Sequence, residues 1–296
     1  MKKILLTAMM ALSMSATMTA QTDNTQTEER QPKALEQMLV YENPKIYTTI
    51  GDIKYVPKDK GQQTRNAIVS ALASDDLPIE DETMVSLASN AMETGVTKAL
   101  RFAVLAGAPT DDQRESNSLV NFTATITGCN TTHRLHDGIS DTRILLTGYI
   151  YLTDVSTGEI VASSQVAGES WAGWFTSIEE AKNDAAHNLM VDVINTLNNW
   201  YPLRGHMLEK GFQKGKKQKL KEIFIDLGSD HGLGNNYDVN VYTVRRIAGR
   251  IARRYLGRGK IQEVMGGDIS SVTLKKGADL IKQAFDNGDE IAISVY

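Results

Sequence analysis

Two histidines three residues apart, His133 and His136, with Asp137 and Asp141 close behind, are the side chains here whose types could hold a metal. Imidazole and carboxylate are both zinc ligands, but a zinc centre takes three or four donors fixed by a rigid surrounding shell. His133, His136 and Asp137 stand in a polar stretch, 128–140, that reads as a loop, with Asp141 just beyond it, and two histidines at that spacing arise easily by chance. A metal-dependent hydrolase built on His133 and His136 is the enzymatic reading they offer; no metal site is assigned. Gly228-Ser229-Asp230-His231-Gly232 also holds a serine, an acid and a histidine. A catalytic relay brings its members together from different elements, so five consecutive residues bounded by glycine read as a tight turn instead. The sequence shows no glycine-rich phosphate loop, nucleophile elbow or pair of carboxylates with a pocket. No catalytic residue, cofactor-binding residue or cofactor is therefore expected, and the chain is expected not to be an enzyme.

A charged segment carries more. Arg245, Arg246, Arg250, Arg253, Arg254, Arg258 and Lys260 crowd the stretch 244–260. As a helix it would set Ile247, Ala248, Ile251 and Tyr255 on one side and the arginines on the other, suited to an anionic membrane or nucleic acid. Gly249 and Gly257 break such a helix, which favours a basic strand edge facing an acidic region or an anionic envelope polymer. Trp171, Trp174 and Phe175 form the second candidate, either a binding patch or a cap on the end of a sheet, the cap being preferred. The run 210–221 is rich in lysine and glycine and is expected to be a mobile, solvated loop. His187 falls on the polar side of its helix and should meet solvent.

The elements that would position these groups centre on 143–200. A strand over 144–152 puts Ile144, Leu146, Ile150 and Leu152 on one face and Leu145, Tyr149 and Tyr151 on the other, so a central strand is expected. Asp154 and Gly158 supply turn chemistry, a side-chain bond to the backbone and freedom for positive φ, before a return strand from Ile160. A helix then opens at Ser177 with Glu180 as its capping partner. Ile178, Ala181, Ala185, Ala186, Leu189, Val193, Leu197 and Trp200 share one side of it. Upstream lie a strand over 46–56, a possible short helix over 65–73 and a helix from about Asp81. The stripe of that helix, Met84, Leu87, Ala88, Ala91, Met92 and Ala99, contains Gly95, which predicts close approach of another backbone. Strands over 101–105 and 120–126 complete a two-layer α+β unit.

Pro202 stops the long helix, and the texture changes to short strands punctuated by glycine. These are placed at 206–210, 222–227, 237–244, 260–265 and 290–295, with a small helix over 278–285: the pattern of a compact β-barrel. The opening residues differ again. Lys2 and Lys3 precede an apolar run over 4–14 and a small-residue stretch ending near Ala20, as in a secretory signal peptide. Cys129 is the one cysteine, so no internal disulfide framework is expected. No segment approaches the length of a membrane-spanning helix. Residues 21–203 carry 13 basic against 25 acidic side chains, and 204–296 carry 17 against 11. Opposite signs suit regions that pack on each other or on neighbouring copies, or are two solvated surfaces.

The order of elements over 46–203, with Arg101-Phe102-Ala103-Val104-Leu105 and the hairpin Asp154-Val155-Ser156-Thr157-Gly158-Glu159-Ile160-Val161-Ala162-Ser163, resembles the CsgG-like family of envelope proteins. That family includes the curli secretion channel and is similar in fold to activators of penicillin-binding proteins. The second region, through 224–232 and 257–264, is similar to the C-terminal barrel of flagellar assembly protein T. The curli channel is a lipoprotein, and this chain has no cysteine just after its apolar run. Nor are there long alternating segments suited to a lipid-facing barrel. The expected organisation is a signal peptide over 1–20, a polar linker over 21–44, a CsgG-like two-layer sheet-and-helix domain over 45–203 and a small C-terminal β-barrel over 204–296. The resemblance implies a non-enzymatic exported protein of the periplasm or the periplasmic face of the outer membrane. It would act by protein–protein contact in assembly, secretion or cell-wall regulation, its partners being other envelope proteins or copies of itself and not nucleic acid. The alternative is an exported module that binds an anionic envelope polymer or membrane surface through 245–260.

Overall fold

A computed structural model of the protein describes residues 41–56, 82–115, 118–170, 175–211, 213–214 and 219–296. The expected signal peptide, most of the linker, the possible helix over 65–73, Trp171 and Trp174 lie outside the described residues. The architecture is α+β followed by a small closed barrel.

The first unit runs β1 (Ile46–Tyr55), α1 (Glu82–Lys98), β2 (Phe102–Val104), α2 (Asp111–Glu115), β3 (Leu119–His136), β4 (Ile139–Asp154), β5 (Ile160–Glu169) and α3 (Ile178–Trp200). Its sheet has the order β2-β1-β3-β4-β5, with β1 parallel to both neighbours and β3, β4 and β5 antiparallel. The alternation in the sequence sets one face: Phe122, Ala124, Ile126, Ile144, Leu146, Ile150 and Leu152 all lie in the buried core beneath α1 and α3. Burying that many large side chains is the main stabilising term, at roughly 1.5–3 kcal/mol each. The opposite face carries no helix among the described residues, and Tyr149 on it is exposed. β4 lies inside the sheet, flanked by β3 and β5.

Helix α3 starts as its sequence dictates, with the Ser177 side chain accepting from the Glu180 N–H. Its stripe is buried from Ala181 to Leu197, but Ile178 is exposed, because the first turn has not yet descended onto the sheet. A Cβ on Gly95 would stand 2.7 Å from Val193 Cγ1, so the glycine in the α1 stripe marks the close approach of α3. Gly168 is tighter still: a Cβ there would stand 2.2 Å from the Ala185 carbonyl oxygen. Helix α3 also blunts the free edge of β5, with Asp192 Oδ2 accepting from Ala167 N (2.9 Å) and Asn188 Nδ2 donating to Glu169 O (2.8 Å).

The second unit contains β6 (Leu203–Lys210), β7 (Gln213–Lys214), β8 (Lys219–Leu220), β9 (Glu222–Ile225), β10 (Asp238–Ile247), β11 (Arg250–Val264), β12 (Ser270–Lys276), α4 (Ala278–Asp286) and β13 (Glu290–Val295). Six strands close in the order β10-β11-β12-β9-β6-β13 around Ile223, Ile225, Val239, Val241, Val272, Ile293 and Val295. Three expectations are corrected. β12 is a sixth barrel strand, and β11 begins at Arg250, ten residues before the predicted start. The lysine-rich run is in part a two-stranded ribbon, β7–β8, whose Leu220 is fully buried in the barrel core. The two units share a tight seam: Leu100, just after α1, sits in the barrel core, and its N–H donates to Asn198 Oδ1 of α3 (2.9 Å).

Candidate interaction surfaces

The stretch expected to be a loop over 128–140 is the outer half of a long ribbon, β3 paired with β4 in register to the last pair, His136 with Ile139. It shows no apolar alternation because its buried positions, Cys129, Thr131, Asp141 and Thr142, are small or polar, and Leu135 and Ile139 near the tip are exposed. An odd spacing places positions 133 and 136 on opposite faces of the ribbon. His133 Nδ1 lies 3.0 Å from Thr142 Oγ1, and Asp141 accepts from Arg134 Nε at 3.4 Å. Among the described residues no three histidine, cysteine or acidic side chains gather as a metal site would require.

The glycine-bounded pentapeptide is a tight turn, a 3-10 turn over Ser229–His231 ended by Gly232 at φ 77°. Its groups point apart: Ser229 Oγ donates to the Gly266 carbonyl (3.3 Å), while His231 Nδ1 accepts from the Gly228 N–H (3.3 Å). His187 is exposed on α3, and Phe175 forms an isolated bridge to Thr142 at the end of the sheet.

The arginine-rich segment is neither a helix nor a simple edge. It is the hairpin β10–β11, turned at Ala248 (φ 49°) and Gly249 (φ 77°). Beyond Val244 strand β10 has lost its barrel neighbour β13, so Arg245–Ala252 stand out as a two-stranded ribbon. Facing pairs share a side: Tyr242 with Tyr255, Val244 with Arg253 and Arg246 with Ile251 on one, Thr243 with Arg254, Arg245 with Ala252 and Ile247 with Arg250 on the other. Arg245 reaches Asp289 at 3.9 Å. Among the described residues Arg246, Arg250, Arg253, Arg254 and Arg258 close no ion pair, and Ile247, Ile251 and Tyr255 are at least half exposed. The ribbon thus offers uncompensated charge and bare apolar surface together.

At its root lies a feature that sequence reasoning missed. The segment 41–44, expected to be linker, is strapped to the barrel: Asn43 accepts from the Arg204 N–H (2.9 Å) and donates back to its carbonyl (2.7 Å). Arg101 Nε and Nη2 both reach the Pro44 carbonyl. The Tyr41 ring stacks on His206 (centroids 4.8 Å apart), and the Arg253 guanidinium stands 5.7 Å from its centre. Behind it, Asp226 accepts from the His206 backbone N–H, and its Oδ2 lies 2.8 Å from His206 Nδ1. Burial pushes the Tyr41 hydroxyl pKa up, against the opposing pull of Arg253. Tyr41, Pro202, Arg204, Tyr242, Arg253, Ala292, Ile293 and Ser294 enclose a cleft of about 170 Å3. One signal could have found it, since Tyr41 is the single aromatic residue in the polar stretch 21–44.

No protein-family model matches the chain, and no curated protein matches it in sequence. Among solved structures it is similar to the PelC dodecamer from Paraburkholderia phytofirmans (16% identity, TM-score 0.25), covering 51% of this chain and 86% of that one. The hypothetical protein CT253 from Chlamydia trachomatis is similar at 8% identity and TM-score 0.31, over 53% and 95% of the two chains. Lipoprotein GNA1162 from Neisseria meningitidis follows at 11% identity and TM-score 0.22, over 52% and 96%. Scores this low transfer no residue role and no partner.

Proposed function

We propose that this is a non-enzymatic exported protein of the cell envelope, with a CsgG-like first domain, and that it acts by contact, gripping its partner with the β10–β11 ribbon. The lysine pair and apolar run at its start support export. Among the described residues no helix is long and apolar enough to cross a membrane. The observation that carries the reading is the β10–β11 hairpin: Arg246 and Arg250 on the projecting ribbon and Arg253 and Arg254 at its root close no ion pair among the described residues and are interleaved with exposed Ile247, Ile251 and Tyr255. Arginine and aromatic side chains are over-represented where proteins meet, and a guanidinium keeps its charge while its stem lies against apolar surface. The partner is an acidic protein surface, in an assembly, secretion or wall-regulating role. The acidic first domain of a second copy is one such surface.

A second reading, binding to an anionic polymer or lipid surface, draws on the presence of arginine on both faces of the ribbon. One experiment separates them. A photo-crosslinking residue replaces Ile251 in cells, and the purified protein is mixed with phosphatidylglycerol vesicles, each with and without Arg246, Arg250 and Arg254→Ser. Crosslinks to a defined protein that the triple variant loses support the first reading. Vesicle binding lost in that variant, without crosslinks, supports the second. Crosslinks and vesicle binding unchanged by the substitutions would defeat both.

A further inference from the structure

We propose that the cleft beneath Tyr41 is a binding site for a free carboxylate, carried on a chain end or a small side group. It is distinct from the projecting contact surface of the ribbon, with which it shares Arg253 and Tyr242 at the ribbon's root. Arg204 and Arg253 both line it, and among the described residues neither guanidinium closes an ion pair. Arg101 adds to the positive field, since the charge of Arg204 lowers its pKa after burial has done so. Three cations at one seam, with the buried Glu290 carboxylate beside Tyr41 as the opposing charge, leave a net positive field, and a further anion placed among them relieves the remaining repulsion.

Among the described residues the Tyr41 hydroxyl, shielded from solvent, is approached by the Arg253 guanidinium, which can only donate to it, and nothing accepts its own proton. Leaving a buried donor unused is costly, and a ligand oxygen would satisfy it. Burial also holds this phenol protonated, the state in which it donates. The strap places it there: the two hydrogen bonds of Asn43 to the Arg204 backbone fix the chain two residues away.

The donor set selects the anion. Guanidinium forks match the planar, two-oxygen geometry of a carboxylate. A phosphate is usually cradled by backbone N–H groups. Here β13 is paired on both sides, to β10 and to β6, so the amides of Ala292–Ser294 belong to the ladders. The remaining walls, Pro202, Tyr242 and Ala292, are apolar or aromatic and suit a short aliphatic group behind the carboxylate. A volume of about 170 Å3 admits one small group and excludes a large one.

Calorimetric titration of the full-length protein with N-acetyl-alanyl-alanine, its C-terminal amide and inorganic phosphate tests the site. Saturable binding of the acid is expected, with about tenfold or greater weakening for the amide and no competition by phosphate at equal concentration. Tyr41→Phe, which removes only the hydroxyl, and Arg204→Gln, at an exposed position, should each weaken the acid about tenfold. The ribbon variant Arg246, Arg250 and Arg254→Ser should bind it normally, which separates this site from the proposed contact function. Equal binding of acid and amide, tighter binding of phosphate, no binding of the acid, or an affinity unchanged in both cleft variants would each overturn the assignment. If Tyr41→Phe does not fold, Arg204→Gln decides alone.

Discussion

The two long ribbons share a backbone design and differ in almost everything attached to it. Each is an antiparallel pair turned by two residues at positive φ, Asp137 and Gly138 in β3–β4 and Ala248 and Gly249 in β10–β11. The first is rooted in packing: Cys129, Thr131, Asp141, Thr142 and Ile144 are buried along it, and Arg134 is matched by Asp141. The outer part of the second buries nothing from Arg245 to Ile251 and leaves most of its charges unmatched. A ribbon can therefore be held by its own protein or kept for another, and burial with charge pairing tells which.

The sharpest way to break that contrast is to remove one isoleucine from each. Ile144 is fully buried and Ile251 is half exposed. Ile144→Ala should cost about 2–5 kcal/mol in chemical denaturation, through lost transfer energy and a cavity. Ile251→Ala should stay within about 0.5 kcal/mol of the parent. Similar losses from both would show that the second ribbon is packed after all.

Next in size is the charge itself. Arg246, Arg250 and Arg254→Ser should leave the unfolding midpoint nearly unchanged, because none of the three closes an ion pair among the described residues. Binding to an acidic partner should fall by at least about tenfold, and the salt dependence of what remains should flatten. Arg134→Ser on the other ribbon should do neither, since its charge is already answered.

The turns give a smaller and cleaner test. Asp tolerates left-handed backbone better than Ala does, and Ala248 at φ 49° holds that conformation at a cost. Ala248→Gly should raise stability by up to about 1 kcal/mol, whereas Asp137→Gly should change it by only a few tenths. Equal gains would mean that the two turns are not equivalent backbones.

These ribbons also mark where the sequence ran out. The turn at Asp154 was legible because its chemistry is local: Asp154 Oδ1 accepts from Ser156 N and Thr157 N, and Gly158 sits at φ 73°. Ser177 and Gly95 were legible for the same reason, one acting within a turn and the other within a stripe. The outer parts of both ribbons are held by pairing across the hairpin; the first buries only small or polar side chains there, Cys129, Thr131, Asp141 and Thr142, and the second buries none from Arg245 to Ile251, so no apolar period of two appears. In β12 the core-facing apolar signal rests on Val272 and Leu274, set among serines and lysines, and only closure of the barrel buries them. The cleft depends on groups as distant as Tyr41, Arg204, Arg253 and Ser294, whose meeting is a property of the fold.

The smallest effect separates the two units by pH. Tyr41, Tyr201, Tyr237 and Tyr296 all have hydroxyl pKa values raised above 10.0, with burial as the leading cause. Three of them belong to the barrel or its strap, and the fourth, Tyr201, packs on the core of the first unit against Phe102. A raised value means that the folded chain holds these protons after the unfolded chain has released them, so the linked stability is complete below about pH 10 and is lost as pH climbs through the folded values. On the acid side, burial raises Asp286 but its bonds to Lys210 and Lys282 outweigh that and hold it below 3.8. Its contribution is therefore present above that value and lost only as pH falls through the lower folded one. Tyrosine ionisation followed by ultraviolet absorbance alongside barrel and sheet probes should show the barrel loosening first above pH 10. A sheet that melts first in alkali would mean that the three tyrosines of the barrel and its strap are better exposed than their packing implies.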